Sequence, residues 1–208
     1  MQRRIVSALA ALAVTSGVGL ASAEEGGFGA KGNFVFSAER LFGFSNDKFS
    51  YDAPIDDDRT IKGFGIGWTG GNSTPYNTPR FALDYFINDN LSLGGAFGYA
   101  SLDIDDSDND PDGFILAPRV GYMIGISDVF GFWPRGGLTY YTFNDPDFDQ
   151  FGLTLEALFS IAPRPGFGFV TGLVFDLGFS GSQDGPGNTS VDYTDRNIAL
   201  VFGIAGSL

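Results

Sequence analysis

The sequence predicts an all-β protein, an up-and-down antiparallel transmembrane β-barrel of eight strands. Three observations predict it: residues alternate with period two between apolar and small or charged side chains, most alternating segments are about 10–13 residues long, and their connections are alternately short and long. A tilted strand that crosses a membrane needs about 9–11 residues, whereas strands of soluble sheets usually have about 5–6. Segment length therefore favours a membrane barrel over a soluble sandwich.

The first 23 residues have the layout of a secretory signal peptide. Arg3 and Arg4 precede an apolar run from Ile5 to Leu20, and the small residues Ala21–Ala23 form a cleavage site. The apolar run is shorter than the ~20 residues of a spanning helix. We therefore expect a signal peptide at residues 1–23 and one barrel domain at residues 24–208.

Composition excludes several classes of function. The chain has no Cys and no His, which removes thiol nucleophiles, thiolate metal sites and the commonest general base. Its net charge of −13 becomes −15 without the two arginines of the signal segment, and such a chain should repel nucleic acid. The composition predicts a protein that is not an enzyme, binds no nucleic acid and needs no organic cofactor.

The alternation is clearest in the segment Arg80–Ile87 and the segment that follows it. Phe81, Leu83, Tyr85 and Ile87 fall on one face of the first segment, and Arg80, Ala82 and Asp84 fall on the other. Asn88–Asn90 is a tight-turn triplet, after which the alternation resumes from Leu91, so the two segments form a predicted hairpin. The other six alternating segments are residues 33–44, 114–125, 132–140, 151–161, 168–179 and 197–204.

The connections divide into two kinds. Three are short: Asn88–Asn90, Ile126–Val129 and Ala162–Gly166. Four are longer, and they hold 17 of the 25 Asp and Glu residues: Ser45–Pro79, Asp103–Gly113, Asn144–Gln150 and Gly181–Asp195. If the strands run up and down, all short turns lie on one side of a membrane and all acidic loops on the other, which is typical of transmembrane barrels.

Three features depart from the simple pattern. Thr60–Trp68 resembles a strand, and we place it in the first long loop as a hairpin extension; a ten-stranded barrel that also uses Phe49–Ile55 is the alternative. Pro118 and Pro134 lie inside predicted strands, where each loses a ladder hydrogen bond, so we expect bulges or strand ends there. Arg40 falls on the apolar face of the first strand.

Charged residues recur on the face that carries the small residues. If the apolar face meets lipid, these side chains point into the lumen, where charges must pair. Nearly equal numbers of acids and arginines favour a salt-bridge network that fills the lumen. A proton or ion relay, or a carboxylate pair of Glu156 and Asp176, is the functional alternative. The predicted lumen network consists of Glu39, Arg80, Asp84, Arg119, Arg135, Glu156 and Asp176.

The loop from Asp103 to Gly113 contains the start of a calcium-loop pattern. Asp108, Asp110 and Asp112 alternate and are followed by Gly113, and carboxylates at alternate positions can converge on Ca²⁺. Arg119 stands where such a loop needs its bidentate Glu, so the segment is not an EF-hand. The three aspartates are candidate calcium ligands, and a solvated acidic loop is the alternative.

The sequence resembles the small outer-membrane β-barrel superfamily, which includes the OmpA transmembrane domain and the OmpX- and OmpW-like proteins. Two stretches carry the resemblance: PRFALDYFINDNLSLGGAFGY at residues 79–99 and APRVGYMIGISDVFGFWPRGGLTYY at residues 117–141. It implies an integral protein of the bacterial cell outer membrane, in contact with outer-membrane lipid and lipopolysaccharide, inserted by the barrel assembly machinery and monomeric. Leu208 stands where family members usually end in Phe.

Three functions remain open at this stage. The first is an integral outer-membrane barrel with a structural or surface-interaction role carried by its acidic loops. The second is a narrow, porin-like channel for small solutes or ions. The third is a soluble periplasmic, lipocalin-like barrel, because a period-two pattern does not itself say which face is inside.

Overall fold

Ten β-strands account for most of the residues that the structure describes. The structure, a computed structural model, describes residues 28–52, 58–66, 75–101, 112–144, 148–164, 166–185 and 189–208, so the predicted signal segment lies outside it. No helix in these ranges is long and apolar enough to cross a membrane. The strands are β1 (Phe34–Tyr51), β2 (Asp58–Ile66), β3 (Arg80–Asn88), β4 (Leu91–Ser101), β5 (Asp112–Tyr122), β6 (Ile124–Gly125), β7 (Phe130–Phe143), β8 (Phe148–Arg164), β9 (Phe167–Gly185) and β10 (Thr189–Ser207), and a 3₁₀ helix covers Pro75–Asn77.

Eight antiparallel strands form a closed wall. Each wall strand pairs with the next in the order β1, β3, β4, β5, β7, β8, β9 and β10, and β6 continues β5 after a break at Met123. Pairing between β1 and β10, from Val35 with Ser207 to Tyr51 with Tyr193, closes the barrel. The predicted eight-stranded, up-and-down barrel is confirmed.

The two faces of the wall have opposite character. In β3, Phe81, Leu83 and Tyr85 are 42%, 42% and 39% exposed, whereas Ala82 and Asp84 between them are 8% and 0% exposed. Because successive strand residues point to opposite sides, the apolar side chains form an outer belt and the small or charged ones line the lumen. An apolar outside and a charged inside are the reverse of a soluble barrel, so the lipocalin-like alternative is wrong.

The short turns lie at one end of the barrel, as predicted, and tight backbone conformations form them. Asn90 has φ = 72° and Gly166 has φ = 75°, the left-handed region in which Asn and Gly are favoured. In the turn before β7, the Ser127 hydroxyl accepts hydrogen bonds from the backbone N–H groups of Val129 (3.3 Å) and Phe130 (3.1 Å). By the predicted orientation this is the periplasmic end.

At the opposite, outer end the strands are longer than predicted. β1 continues to Tyr51, β9 continues to Gly185 and β10 begins at Thr189, all inside segments predicted to be loops. The boundaries Ser45–Pro79 and Gly181–Asp195 were therefore wrong. The extra residues gain ladder hydrogen bonds with neighbouring strands, a tertiary contribution that local composition does not register.

β2 is an extension of the outer end and not a ninth wall strand. β1 pairs with β3 through Phe34–Glu39 and then with β2 through Phe42–Ser50. Residues 60–66 thus form the predicted hairpin extension, whereas residues 67 and 68 lie outside the described residues. The ten-stranded alternative is wrong because β2 pairs with β1 alone in the part of the chain that is described. Lys48 Nζ donates a 2.7 Å hydrogen bond to Asp58 at this hairpin, and that bond lowers the pKa of the Asp58 carboxyl.

The two prolines interrupt a ladder without bending it. The pairing of β5 with β7 has no described residue pair at Pro118. The break between β5 and β6 lies opposite the segment of β7 that contains Pro134. At both gaps, however, the strand register is the same before and after the gap. The expected bulges or strand ends at the prolines were wrong. The lost hydrogen bonds are confined to one side of each strand, because both prolines stay paired with β4 or β8 on the other side.

Replacing Leu173 with Arg tests which face meets lipid. Leu173 is 52% exposed in the middle of the outer face of β9, so the substitution should lower the free energy of unfolding in lipid vesicles by about 2–4 kcal/mol. Thr194→Arg, an exposed position near the outer end of β10, is the matched control and should cost about 0–1 kcal/mol. Equal costs, measured by urea titration, would contradict a lipid-facing belt.

Candidate functional site

The lumen is the only place where the described strands gather many polar side chains away from water, and its middle contains a balanced layer of charges. All seven predicted lumen residues point inward and are buried, with exposures between 0% and 8%, and Arg40 joins them at 4%. The layer thus holds four arginines and four carboxylates. We call it the charge layer: Glu39, Arg40, Arg80, Asp84, Arg119, Arg135, Glu156 and Asp176.

Glu39 lies at the centre of this layer. Arg119 donates to both of its carboxylate oxygens, at 2.7 Å and 2.9 Å, and Arg135 donates to Oε1 at 2.8 Å. The Ser37 hydroxyl donates to Oε1 as well, at 2.7 Å. Arg119 also donates through Nε to Asp84 at 3.1 Å. Bidentate, charge-assisted hydrogen bonds of this kind are the strong class, and they fix the guanidinium orientation.

A second group of ion pairs centres on Asp176. Arg40 donates to its two carboxylate oxygens at 2.9 Å and 3.0 Å, and Thr154 and Asn197 donate to the same carboxylate at 2.7 Å and 2.8 Å. Glu156 connects the two groups, because its carboxylate lies 2.8 Å from Arg135 Nε and 3.8 Å from Arg40 Nη2. Each member of the predicted pair of Glu156 and Asp176 thus faces an arginine, an arrangement that favours a structural network over an acid–base dyad.

Arg40 reaches the lumen because the strand bulges at its position. It has φ = 54°, and three residues of β1 between Ala38 and Phe42 lie opposite the single Gly203 of β10. The left-handed residue turns its side chain inward although the alternation places it outward. The sequence interpretation, which put Arg40 on the lipid face, was therefore wrong. The bulge lies where β1 changes its partner from β3 to β2.

The 3₁₀ helix Pro75–Asn77 closes the charge layer from the outer side. The backbone carbonyl of Tyr76 accepts hydrogen bonds from Arg40 and from Arg80, the latter at 2.7 Å. Two guanidinium groups thus anchor the segment Pro75–Asn77, which was predicted to belong to a loop. The anchor holds the Tyr76 side chain, which is 0% exposed, inside the mouth of the barrel.

An outer layer of tyrosines surrounds that side chain. Tyr76 and Tyr141 both donate to Gln150 Oε1, at 3.0 Å and 2.8 Å, and the hydroxyls of Tyr141 and Tyr193 lie 3.2 Å apart. The rings of Tyr76 and Tyr141 meet edge to face, 5.3 Å between centroids. Gly152 makes room for this, because a Cβ there would lie 2.2 Å from the Tyr76 hydroxyl oxygen.

An apolar layer fills the periplasmic end. Trp133 is 0% exposed, its ring lies 5.7 Å from that of Phe86, and its indole N–H donates to Ser92 at 3.3 Å. The Arg135 guanidinium lies 4.6 Å from the Trp133 ring centroid, a cation–π contact that joins this layer to the charge layer. The other large members are Phe28, Val35, Met123, Leu158, Val170 and Val174.

The described side chains of the three layers are packed against one another inside the wall. The cavity found beside the charge layer measures about 10 Å³, the room of about one water molecule, and Arg80, Arg119, Thr154 and Glu156 are among its lining residues. Within the described residues no group of three or more acidic side chains could hold a metal ion. The arrangement can hold the wall strands together across the lumen.

The predicted calcium ligands are only partly visible. Asp108 and Asp110 lie outside the described residues. Asp112 begins β5, where its backbone N–H donates to Asn144 Oδ1 at 2.7 Å and its carboxylate accepts from the Tyr99 hydroxyl at 3.3 Å. Calcium binding by this loop stays a prediction from the sequence.

Sequence reasoning missed the outer layer. Tyr76, Gln150 and Tyr193 all fell inside segments predicted to be loops. Gln150 and Tyr193 could have been found by extending backward the alternation of the predicted strands that follow them, since both keep the inward parity of their strands. Tyr76 has no such signal, because it enters the lumen from a short helix and not from the wall.

Comparison with known proteins bears on the fold. No protein-family model and no curated protein matches the chain. The solid-state NMR structure of outer membrane protein AlkL in lipid bilayers is similar with a TM-score of 0.56 at 14% identity, over 90% of this chain and 94% of AlkL. The crystal structure of Neisserial surface protein A has a TM-score of 0.50 at 17% identity, over 86% of this chain and 98% of that protein.

Substituting Glu39 with Gln tests whether the charge layer stabilises the barrel. The change leaves Arg119 and Arg135 without their shared carboxylate, and breaking a buried ion pair should cost about 3–5 kcal/mol in the free energy of unfolding. The double variant Glu39→Gln/Arg135→Gln restores equal charge numbers and should cost less than the sum of the single changes. Additive costs in urea titrations would contradict a coupled network.

The apolar belt, the paired charges inside and the shared topology agree with one another: this chain has the fold of the small eight-stranded outer-membrane β-barrels.

Proposed function

We propose that this chain is a sealed outer-membrane barrel with a structural role in the membrane and a surface-interaction role at its acidic outer end. The observation that carries the proposal is the filling of the lumen from end to end by the apolar layer, the charge layer and the tyrosine layer. A barrel filled in this way is a rigid support, and the parts free to meet other molecules are its outer extensions.

The filled lumen counts against the narrow channel. A conducting path needs continuous water, whereas the cavity beside the charge layer has room for about one molecule. Each carboxylate of the charge layer accepts or faces an arginine, so a passing ion would have to displace a paired group at a large electrostatic cost.

The acidic outer end supports the surface-interaction role. The four connections predicted to be loops hold 17 of the 25 acidic residues, and their described parts lie at one end of the barrel. A surface of one sign attracts partners of the opposite sign and speeds their encounter. The chemistry favours a cationic partner, such as a basic segment of another protein, and the absence of His and Cys favours a binding role over catalysis.

Planar-bilayer recordings test whether the lumen is sealed. The wild-type barrel should give no stable conductance steps. The triple variant Trp133→Ala/Arg135→Ala/Tyr141→Ala removes one inward side chain of β7 from each layer and should raise conductance, because each layer then contains a gap.

The matched control is Phe132→Ala/Leu138→Ala/Tyr140→Ala, which removes three side chains from the outer face of the same strand and should stay silent. Steady wild-type steps that scale with salt concentration would contradict the sealed barrel and favour the channel.

Cells that display the protein should bind a fluorescent oligolysine probe through the acidic loops. Changing Asp103, Asp105, Asp106, Asp108 and Asp110 to Asn should reduce probe binding, and raising the salt concentration should reduce wild-type binding, because exposed charges are screened. A variant with residues 102–111 shuffled keeps the charge and should bind like the wild type. Undiminished binding by the Asn variant would contradict an electrostatic role for this loop.

A further inference from the structure

The basic residues of the barrel are distributed very unevenly. Ten Lys and Arg residues follow the predicted signal segment. Four are in the charge layer, and Lys31 and Arg164 are exposed at the periplasmic end. The remaining four all lie at the outer end of three adjacent strands, β10, β1 and β2: Lys48, Arg59, Lys62 and Arg196.

Three of these four point to the outside of the wall and form one band. Lys48 pairs directly with Arg196 of β10 and with Thr60 of β2, and Asn46, two residues earlier on β1, pairs with Lys62. Adjacent strands lie about 4.8 Å apart and alternate residues about 7 Å apart, so the three cationic positions fall within about 12 Å. We call Lys48, Lys62 and Arg196 the basic band.

The rows of residues on the membrane side and on the outer side of the basic band differ in polarity and charge. Next to it on the membrane side are Phe44 and Phe64, 57% and 55% exposed with ring centroids 4.7 Å apart, and Leu200 opposite Phe44. Beyond it on the outer side come Ser50 and Thr194, opposite each other, with the acidic Asp58 of β2 paired to Ser50. Asp52 and Asp192, linked through a backbone hydrogen bond of 3.0 Å, follow at the rim.

An apolar row, the basic band and an acidic rim that includes Asp58 therefore succeed one another with distance from the membrane. A cation just above an aromatic belt lies at the depth of the lipid head groups. Phosphate is the head-group chemistry that Arg and Lys bind best, by charge and by hydrogen bonds. A soluble anion that approached from outside would first meet the acidic rim, which repels it.

We propose that the basic band binds a phosphate group of the outer-leaflet glycolipid, lipopolysaccharide, from the membrane side. The inference rests on the outer-membrane orientation proposed above. Arg196 and Lys62 are the main contacts, and Lys48 contributes while exchanging with Asp58, its 2.7 Å partner, since both side chains are at least half exposed. The lipid would lie against Phe44 and Phe64.

The test compares two variants of equal charge in detergent micelles. Lys62→Gln/Arg196→Gln removes the two main cations of the band, and Lys31→Gln/Arg164→Gln removes two from the periplasmic end. Native mass spectrometry measures the binding of bis-phosphorylated lipid A and of the same lipid A with its phosphates removed. A gel shift on heating shows for each variant that the barrel is folded, which separates a failure of this inference from a failure of the proposed fold and orientation.

The band variant should bind bis-phosphorylated lipid A about tenfold more weakly than the wild type, because each cation near a lipid head group strengthens binding severalfold. The periplasmic control should bind within about twofold of the wild type, and dephosphorylated lipid A should bind all three proteins equally weakly. Equal losses in both variants, no loss in the band variant, or equal wild-type affinity for both lipids would overturn the proposal.

Discussion

The arginine side chains inside the barrel constrain the rest of the structure, because a buried guanidinium needs carboxylate or carbonyl oxygens around it as hydrogen-bond partners. Four arginines and four carboxylates from six wall strands meet in one layer, so those strands must keep their register for the layer to form. A slip of one residue would turn every member toward lipid, where an unpaired charge is expensive. The charge layer therefore specifies the pairing of the strands as well as filling the space between them.

The same layer connects the two ends of the lumen. On the periplasmic side Arg135 lies against Trp133, and on the outer side Arg40 and Arg80 hold the carbonyl of Tyr76. The arginines of the charge layer thereby position the apolar layer and the tyrosine layer, and the proposed sealing of the barrel rests on the three together. At the outer end acids outnumber cations, and two of these acids, Asp47 and Asp195, are buried inside the wall.

The sequence was sufficient for the parts of the structure that repeat. Period-two alternation determines which face of each strand meets lipid, so the inward direction of residues such as Asp84 and Arg119 could be predicted. Alternating short and acidic connections determine the order of the strands, so the eight-stranded wall could be predicted as well. The bulge at Arg40 could not, because its left-handed backbone depends on the change of partner strand at that point. The insertion of Tyr76 into the lumen could not be predicted either, because a contact made from a loop leaves no periodic signal in the sequence. The outer strand ends could not be predicted because they depend on ladder hydrogen bonds between distant segments.

The central claim is that the apolar face is turned to lipid around a closed, charge-filled lumen. The most direct test is membrane fractionation of the expressed protein, followed by gel electrophoresis with and without boiling. The account predicts recovery in the outer-membrane fraction and a change of mobility on boiling, since a closed barrel resists detergent until heated. A protein that is soluble without detergent and migrates identically in both samples would contradict it.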